Sequence, residues 1–476
     1  MSKINPIVKS TTVDTENRLA GGMGAFAAKQ DNVSLLRRVV LANLLWEDNA
    51  YVDGVTTANQ IKELIPKCPA EQVYNIAREA RLVQKLRHTP LFIAVEMCKY
   101  EETRKYVARL LPEIITRADM LTDFLALYWK ENGQGKAIAN CAKNGLAEAF
   151  HNFNEYKLAK YDRDAAVKLR DVMFLCHPKA RNEYEQELFK KVADRTLKTP
   201  DTWEVALSGG ADKKETWERL ITEGKLGGMA MLRNLSNMKK ASVDKKTIYE
   251  GLNNLNGTML LPLDFLKAAR MAPEFTSQIS DAMVNSYKNL PKLPGKTLFI
   301  VDVSGSMGHI TSSGTSFSRL DQAAAMAMLA ANQCEDFELV LTAGSDSQRK
   351  GKHEWIQYPK KGFDLCQTIG ERLNHWSPYY LGGGGIFTRQ CLEWCKDKFK
   401  DMEFYRIIVF SDSQDCDYPD KRVPNPFAKN NYIVDVSAHQ HGVNYNGKWT
   451  AEISGWSEHF LTYIAAFEGI ENTFEE

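Results

Sequence analysis

The sequence of 476 residues lacks several features that would place it in a class at once. It has no run of about 18 apolar residues, which predicts that no helix spans a membrane. The first 30 residues hold no apolar segment of the secretory type, so we expect a cytoplasmic protein. The nine cysteines form no CxxC pair, and their scattered spacing favours reduced thiols over a zinc site or a disulfide framework.

Signatures of common catalytic sites are also missing. The sequence has no P-loop, GxSxG or HExxH motif and no paired Cys/His site. We therefore expect a protein that is not an enzyme. One enzymatic alternative stays open, because Asp302 and Asp412 could together hold a metal ion for phosphodiester cleavage. No general base is obvious beside them.

The distribution of charge is more informative than its total. The net charge is only +1, and the hydrophobic and charged contents of 44% and 25% are ordinary for a globular protein. Residues 291–476, however, carry a net charge of −6, and residues 1–290 carry +7. A basic N-terminal part suits a polyanionic partner, and an acidic C-terminal part does not.

Residues 1–290 have the pattern of many consecutive helices. Apolar residues recur at spacings of three and four, and strand-like alternation is scarce. Ser34 is a plausible N-cap for one of the first helices. Helices of about 10–15 residues joined by short loops predict an α-helical, HEAT-like solenoid. Such a fold presents a long curved surface, which suits an extended ligand.

Two groups of basic side chains in this part are candidate RNA contacts. Guanidinium and ammonium groups bind phosphates, and aromatic rings interleaved with them can stack on bases. The first basic group is spaced to share one side of one helix, apart from Arg87, which lies nearby in sequence: Arg78, Arg81, Lys85, Arg87 and His88. The second basic group is Lys157, Lys160, Arg163, Arg170, His177 and Lys179. The alternative is that both groups are solvated helix surfaces.

Residues 291–476 alternate short apolar strands with helices, which predicts a doubly wound α/β domain. The first strand ends in a DxSxS pattern formed by Asp302, Ser304 and Ser306. One carboxylate and two hydroxyls at alternate positions of a strand-to-loop turn can point at one hard cation such as Mg²⁺. Gly305 permits the tight backbone path. A loop cap without metal is the alternative.

The DxSxS pattern resembles the metal-ion-dependent adhesion site of von Willebrand factor A-type domains. That resemblance implies an aspartate after a later strand, and Asp412 matches it. It also implies a threonine, for which Thr388 is the candidate, although four glycines and two further residues precede it. The remaining aspartates of the Asp412 loop, Asp415, Asp417 and Asp420, we interpret as solvated.

Four phrases of the sequence resemble the Ro (TROVE) family in the expected order: Asn17–Leu19, Leu169–Lys179, Met229–Leu235 and Leu261–Ala269. The resemblance implies a TROVE-like RNA-binding domain over residues 1–290, with helical repeats closed into a ring, and an A-type domain over residues 291–476. It implies Y RNA-like non-coding RNA and single-stranded ends of misfolded RNA as ligands, in RNA quality control or scaffolding. His177 matches the RNA-contacting histidine of the family, and the basic run before it matches loosely.

A second function from another class is a metal-dependent protein-interaction module of adhesion or chaperone-adaptor type. The helical part would then be only a scaffold. An exoribonuclease or another protein could be the partner of the A-type domain in either case. We expect a monomer with no membrane partner. Replacing Asp302 by Ala should abolish partner binding under this second hypothesis and leave RNA binding nearly intact under the first.

Overall fold

The structure is a computed structural model that describes residues 13–18, 26–28, 31–41, 54–162, 165–310, 317–417, 426–437 and 449–470. Three residues used above, Leu19, Arg163 and Asp420, lie outside this part of the chain. The chain divides into two compact units. The helical unit comprises Asn59–Leu226 and Ala241–Thr247. The sheet unit comprises the described residues of Met1–Ala58, Gly227–Lys240 and Ile248–Glu476.

The first described elements belong to the sheet unit: β1 (Val13–Arg18), β2 (Phe26–Ala28) and α1 (Asn32–Leu41). β1 and β2 pair in antiparallel fashion. The prediction of Ser34 as N-cap is wrong, because α1 begins two residues earlier. Asp31 Oδ1 accepts the backbone N–H groups of Val33 and Ser34, each at 3.0 Å. A carboxylate at this position satisfies amides that have no partner within the helix.

The helical unit is built from short helices in which alternate members pack together. α3 packs on α5, α4 on α6, α5 on α7, and α7 on α9. α5 shows why these segments are helical, since Val107, Leu110, Leu111 and Ile114 recur at helical spacing and are all buried. The helices are α2 (Gly54–Leu64), α3 (Ala70–Leu82), α4 (His88–Met97), α5 (Glu101–Ile114), α6 (Asp119–Asn132), α7 (Asn140–Phe150), α8 (Glu155–Ala159), α9 (Leu169–Cys176), α10 (Glu183–Asp194), α11 (Trp203–Ser208) and α12 (Lys213–Thr222).

Four more helices precede the large sheet: α13 (Gly228–Lys240), α14 (Lys245–Asn253), α15 (Pro262–Met271) and α16 (Thr276–Ser286). α15 packs on α13 and α16, and also on the first helix of the α/β part. These contacts are why the sheet unit reaches back beyond the predicted boundary at residue 290. None of the helices in the described ranges combines the length and apolar character needed to cross a membrane.

A six-stranded sheet forms the core of the sheet unit, in the order β5-β4-β3-β6-β7-β8. All neighbouring pairs are parallel except β4 and β5. Its elements are β3 (Leu293–Asp302), α17 (Arg319–Gln333), β4 (Cys334–Ser345), β5 (Lys350–Ile356), α18 (Phe363–Glu371), α19 (Thr388–Lys398), β6 (Arg406–Ser411), β7 (Asn430–Asp435), β8 (Ala451–Ser454) and α20 (Phe460–Glu468). The predicted fold class, helical repeats plus a doubly wound α/β part, is confirmed.

The strand order determines where a ligand site can form. β3 lies between β4, which follows it in the chain, and β6, which comes much later. The connections therefore leave β3 in opposite directions. In doubly wound sheets this reversal opens a crevice at the carboxyl ends of the strands, where ligands bind. Asp302 ends β3 and Ser411 ends β6, so the DxSxS loop and Asp412 meet at this crevice.

Candidate metal centre and basic surfaces

The carboxylate of Asp302 is fully buried at the end of β3 and is held by two donors. The Ser304 backbone N–H donates to Asp302 Oδ1 at 2.8 Å, and the Ser411 hydroxyl donates to Oδ2 at 2.7 Å. The hydroxyl oxygens of Ser304 and Ser306 lie 3.2 Å apart. The DxSxS residues are thus gathered at one point, as their spacing predicts.

A second buried carboxylate, Asp412, lies beside the first. Burial raises the pKa of Asp302 to about 7, and the neighbouring charge of Asp412 adds to the rise. Asp412 Oδ2 is buried without a hydrogen-bond partner among the described residues, although Arg319 Nη1 lies 3.6 Å away. Two adjacent carboxylates in a dry site repel each other, and a bound cation would relieve that repulsion.

Thr388, the candidate fifth ligand, is the first residue of α19. Its hydroxyl is buried without a hydrogen-bond partner in the described ranges, and its backbone N–H donates to Asp415 Oδ1 at 3.2 Å. The solvated interpretation of Asp415 is wrong, since this residue is only 6% exposed. Burial raises the pKa of Asp415 to about 8. Among the described residues, Thr388 contacts Asp415 and makes no hydrogen bond to Asp302.

Gly305, between the two serines, is required by the packing of the glycine-rich loop. Its N–H donates to Gly384 O at 3.3 Å, and a Cβ built on Gly305 would lie 2.4 Å from Gly383 O. No side chain fits there without moving the backbone of that loop. The close approach fixes the position of the DxSxS turn against the run of four glycines.

The donor atoms at this edge suit a hard divalent cation. Two carboxylates and several hydroxyls offer only oxygen, which Mg²⁺ prefers. Asp412 Oδ2 and Thr388 Oγ1 are buried without a hydrogen-bond partner among the described residues, so both could coordinate a cation. Within the described ranges, no three His, Cys, Asp or Glu residues cluster closely enough to hold a metal on their own. The candidate centre is therefore of the hydroxyl-rich type.

The first basic group does not share a helix face. α3 ends at Leu82 and α4 begins at His88, and Lys85 between them has a left-handed backbone with φ of 60°. Arg81 is only 3% exposed and donates from Nε to Thr116 Oγ1 at 2.9 Å. Burial lowers the pKa of Arg81 to about 10. Arg81 therefore holds the α3–α4 turn to the end of α5.

Acidic neighbours on other helices neutralise much of the charge that remains in this group. Arg78 pairs with Glu113. Arg87 Nη2 lies 2.6 Å from a carboxylate oxygen of each of Asp119 and Asp123. His88 Nε2 lies 3.8 Å from Asp123 Oδ2. These acids belong to α5 and α6, whose packing against α3 and α4 is not visible in the local sequence.

The second basic group is more accessible. Lys157, His177 and Lys179 are exposed, and half-buried Lys160 lies with Nζ 5.9 Å from the Tyr161 ring centroid. Arg170 is half-buried, with Nε 4.0 Å from Asp171 Oδ1. The remaining member, Arg163, lies outside the described residues.

His177 ends α9 in a position that presents its side chain to solvent. Its backbone is left-handed, with φ of 50°, and its N–H donates to Met173 O at 2.9 Å. The His177 side chain is exposed rather than packed against its neighbours. Phe174, one turn earlier on α9, is 52% exposed. The end of α9 therefore carries an exposed imidazole and an exposed aromatic ring together.

Comparison with known proteins agrees with this architecture. Residues 193–339 match the model of the TROVE domain family. The solved Ro (RSR) protein of Deinococcus radiodurans superposes with a TM-score of 0.55 and 18% identity, covering 93% of this chain and 100% of that one. Over residues 193–339 the chain resembles the TROVE domain family, as predicted.

Two curated relatives are similar over a short segment. Telomerase protein component 1 of Mus musculus is 46% identical over 50 residues, and that of Rattus norvegicus is 47% identical over 47 residues. Each match covers 10% of this chain and spans only 2% of the relative's length. The matched family segment ends in β4, so it includes the DxSxS loop and excludes Asp412.

Three residues at the metal edge were not predicted to take part in it. Ser411 directly precedes Asp412, so a hydroxyl next to the second aspartate was an available signal. Arg319 gave no signal, because it is distant in sequence from Asp412 and opens a helix of mostly small apolar residues. Asp415 was named, but its burial depends on its contact with α19.

Proposed function

We propose that the chain binds structured small non-coding RNA and single-stranded ends of misfolded RNA, and acts in RNA quality control or scaffolding. The match of residues 193–339 to the TROVE domain and the fold shared with the Ro (RSR) protein support this proposal. The observation that carries it is the exposed end of α9, where His177, Lys179 and Phe174 lie within six residues. Cationic groups contact phosphates, and exposed rings stack on unpaired bases.

The two basic groups differ in what they can contribute to RNA binding. Arg78, Arg81 and Arg87 already have acidic or hydrogen-bonded partners in the protein, so an RNA phosphate would have to compete with them. Lys157 and Lys179 are exposed. We therefore assign the main phosphate contacts to the second basic group, on and after α8 and α9.

The test is fluorescence anisotropy with an RNA hairpin that carries a single-stranded tail. Replacing both His177 and Lys179 by Ala should weaken binding about tenfold and reduce the slope of affinity against salt. Lys105→Ala is the matched control, since Lys105 is 61% exposed on α5 and should be neutral. Absence of any salt-sensitive affinity in the unaltered chain would refute RNA binding itself.

We further propose that the metal edge binds Mg²⁺ through Asp302, Ser304, Ser306 and Asp412, with Thr388 as fifth ligand. A cation held by several neutral hydroxyls keeps positive charge to attract a carboxylate or phosphate of a partner. Calorimetric titration with Mg²⁺ should detect one site that Asp302→Asn removes. The control variant Asp364→Asn should keep the Mg²⁺ site, because the Asp364 side chain is 62% exposed on α18. No heat in the unaltered chain refutes the site.

A second candidate function is capture of a protein partner, such as an exoribonuclease, through the metal edge. The observation that favours it is the loop after α18, where Trp376 is 94% exposed and Tyr379 is 56% exposed. This loop leads directly into the four glycines that contact Gly305. Asp302→Ala should then abolish capture of an exoribonuclease and leave affinity for tailed RNA nearly intact. Loss of both activities would place RNA at the metal edge instead.

A further inference from the structure

Two cysteines that are 43 positions apart in sequence meet in the helical unit. Cys98 follows the last residue of α4, and Cys141 is the second residue of α7. Their Sγ atoms lie 3.8 Å apart, with the thiol of Cys98 and that of Cys141 hydrogen-bonded. A disulfide needs an S–S distance of about 2.05 Å, so closure requires less than about 2 Å of movement.

The surroundings of Cys141 favour its thiolate. Cys141 lies in the first turn of α7, and the N-cap residue of that helix, Ala139, has no side chain to accept the free amides. Hydrogen bonding from Cys98 lowers the pKa of Cys141 to about 7, with further help from the Ala142 amide and Arg104. Cys141 is half-buried, so a small reagent can reach it.

Cys98 is held in place as the second thiol. It is only 5% exposed, and its single S–H can donate either to Ala94 O, 3.3 Å away, or to the ionised sulfur of Cys141. Arg104 Nε donates to Cys98 O at 3.0 Å, and the Thr103 hydroxyl donates to Met97 O at 2.8 Å. The pKa of Cys98 is raised, first by its bond to Cys141 and then by burial. A half-buried thiol of lowered pKa beside a buried thiol of raised pKa is the arrangement of an attacking and a resolving cysteine.

We propose that Cys98 and Cys141 form an oxidisable dithiol site that takes a small hydroperoxide such as hydrogen peroxide. The Cys141 thiolate attacks one peroxide oxygen, the O–O bond breaks, and hydroxide leaves to become water. Cys141 is then a sulfenic acid. The Cys98 sulfur attacks Cys141 Sγ, the S–O bond breaks, and the departing oxygen takes the Cys98 proton and leaves as a second water. Two thiols are oxidised, one peroxide is reduced, and the disulfide links the end of α4 to the start of α7.

The test uses the full chain, treated with one equivalent of hydrogen peroxide, alkylated and mapped by mass spectrometry. A peptide pair linked through Cys98 and Cys141 is expected, with a mass lower by two hydrogen atoms. In the untreated chain, iodoacetamide at pH 7 should alkylate Cys141 about tenfold faster than Cys176. Cys176 is the internal control because it is buried and burial raises its pKa to about 12.

Two variants separate the roles of the two sulfurs. Cys98→Ser should form no linked peptide, and its Cys141 sulfenic acid should persist and react with dimedone. Cys141→Ser should give neither product. The proposal is overturned if Cys141 of the native chain is alkylated no faster than Cys176, or if peroxide yields other disulfides but not this one. The alkylation comparison needs no substitution, so a variant that fails to fold does not weaken the test.

Discussion

Arg38 shows how much one buried residue can contribute to the sheet unit. It is 1% exposed and pairs with both Asp435, at the end of β7, and Glu452 on β8. Burial raises the pKa of Asp435 to about 7, and Arg38 opposes that rise. Replacing Arg38 by Ala leaves two buried carboxylates without their cation, so we expect a loss of about 3–5 kcal/mol in the free energy of unfolding at pH 8.

This loss should depend on pH with a definite sign. The pKa of Asp435 is higher in the folded state than its ordinary value of 3.8, so the folded state binds the extra proton. The free energy of unfolding therefore falls as pH rises from about 4 through 7. It falls more steeply in the Arg38→Ala variant, because no cation opposes the rise in the pKa of Asp435. Urea unfolding of Arg38→Ala at pH 6 should show a smaller loss than at pH 8. Adding Asp435→Asn should restore part of the stability, and equal losses at both pH values would contradict this account.

Substitutions of Arg81 and His177 distinguish a residue that stabilises the fold from a residue that contacts RNA. Arg81→Ala removes hydrogen bonds to Thr116 Oγ1 at 2.9 Å and Leu86 O at 3.3 Å, which should cost about 1–3 kcal/mol of stability. His177→Ala should leave the melting temperature unchanged and weaken RNA binding. Calorimetry and anisotropy on both variants measure the two effects. An Arg81→Ala variant with unchanged melting temperature and lost RNA affinity would show that Arg81 contacts RNA.

At the scale of elements, α20 is attached to the sheet by a buried ion pair. Arg406 on β6 and Glu468 on α20 have fully buried side chains, with Nη2 and Oε2 2.6 Å apart. The Tyr432 hydroxyl on β7 also donates to Glu468 Oε1 at 3.1 Å. Glu468→Gln leaves the guanidinium without its anion, so we expect a loss of about 3–5 kcal/mol and faster proteolytic cleavage within α20.

The control for this ion pair is Glu393→Gln on α19. Glu393 is 60% exposed and pairs with Arg389 one turn away, so its removal should cost less than about 1 kcal/mol. Chemical unfolding and limited chymotrypsin digestion, which can cleave at the aromatic residues of α20, provide the comparison for both variants. Similar losses for the two variants would mean that the burial of the Arg406 pair contributes nothing.

Features that depend on local sequence could be predicted, and those that depend on distant partners could not. The apolar run of β3 followed by Asp302, Ser304 and Ser306 is a local pattern, and the structure brings these side chains together. The prediction of a basic helix face was wrong partly because Arg78 pairs with Glu113, which is 35 positions away in sequence. α1 joins the sheet unit through Arg38, whose partners are 397 and 414 positions away. No periodicity within one helix carries that information.

At the scale of the whole molecule, the proposed RNA contacts and metal ligands belong to different compact units. Lys157, His177 and Lys179 are in the helical unit, and Asp302 and Asp412 are in the sheet unit. A ligand that binds only the folded state stabilises it by mass action, by about 2.7 kcal/mol at a concentration one hundred times its Kd. Mg²⁺ should therefore raise the melting temperature, because it binds and stabilises the folded sheet unit. It should not be needed for RNA binding, whose proposed contacts lie in the helical unit.

Removal of metal tests this separation. EDTA at constant ionic strength should lower the melting temperature of the unaltered chain, and excess Mg²⁺ should restore it. Asp302→Asn should remove this response, because the site loses a carboxylate that holds the cation. Affinity for tailed RNA, measured in the same buffers with a tail that does not fold, should stay within about twofold. A loss as large as that of the His177 and Lys179 double variant would mean that the metal edge takes part in RNA binding.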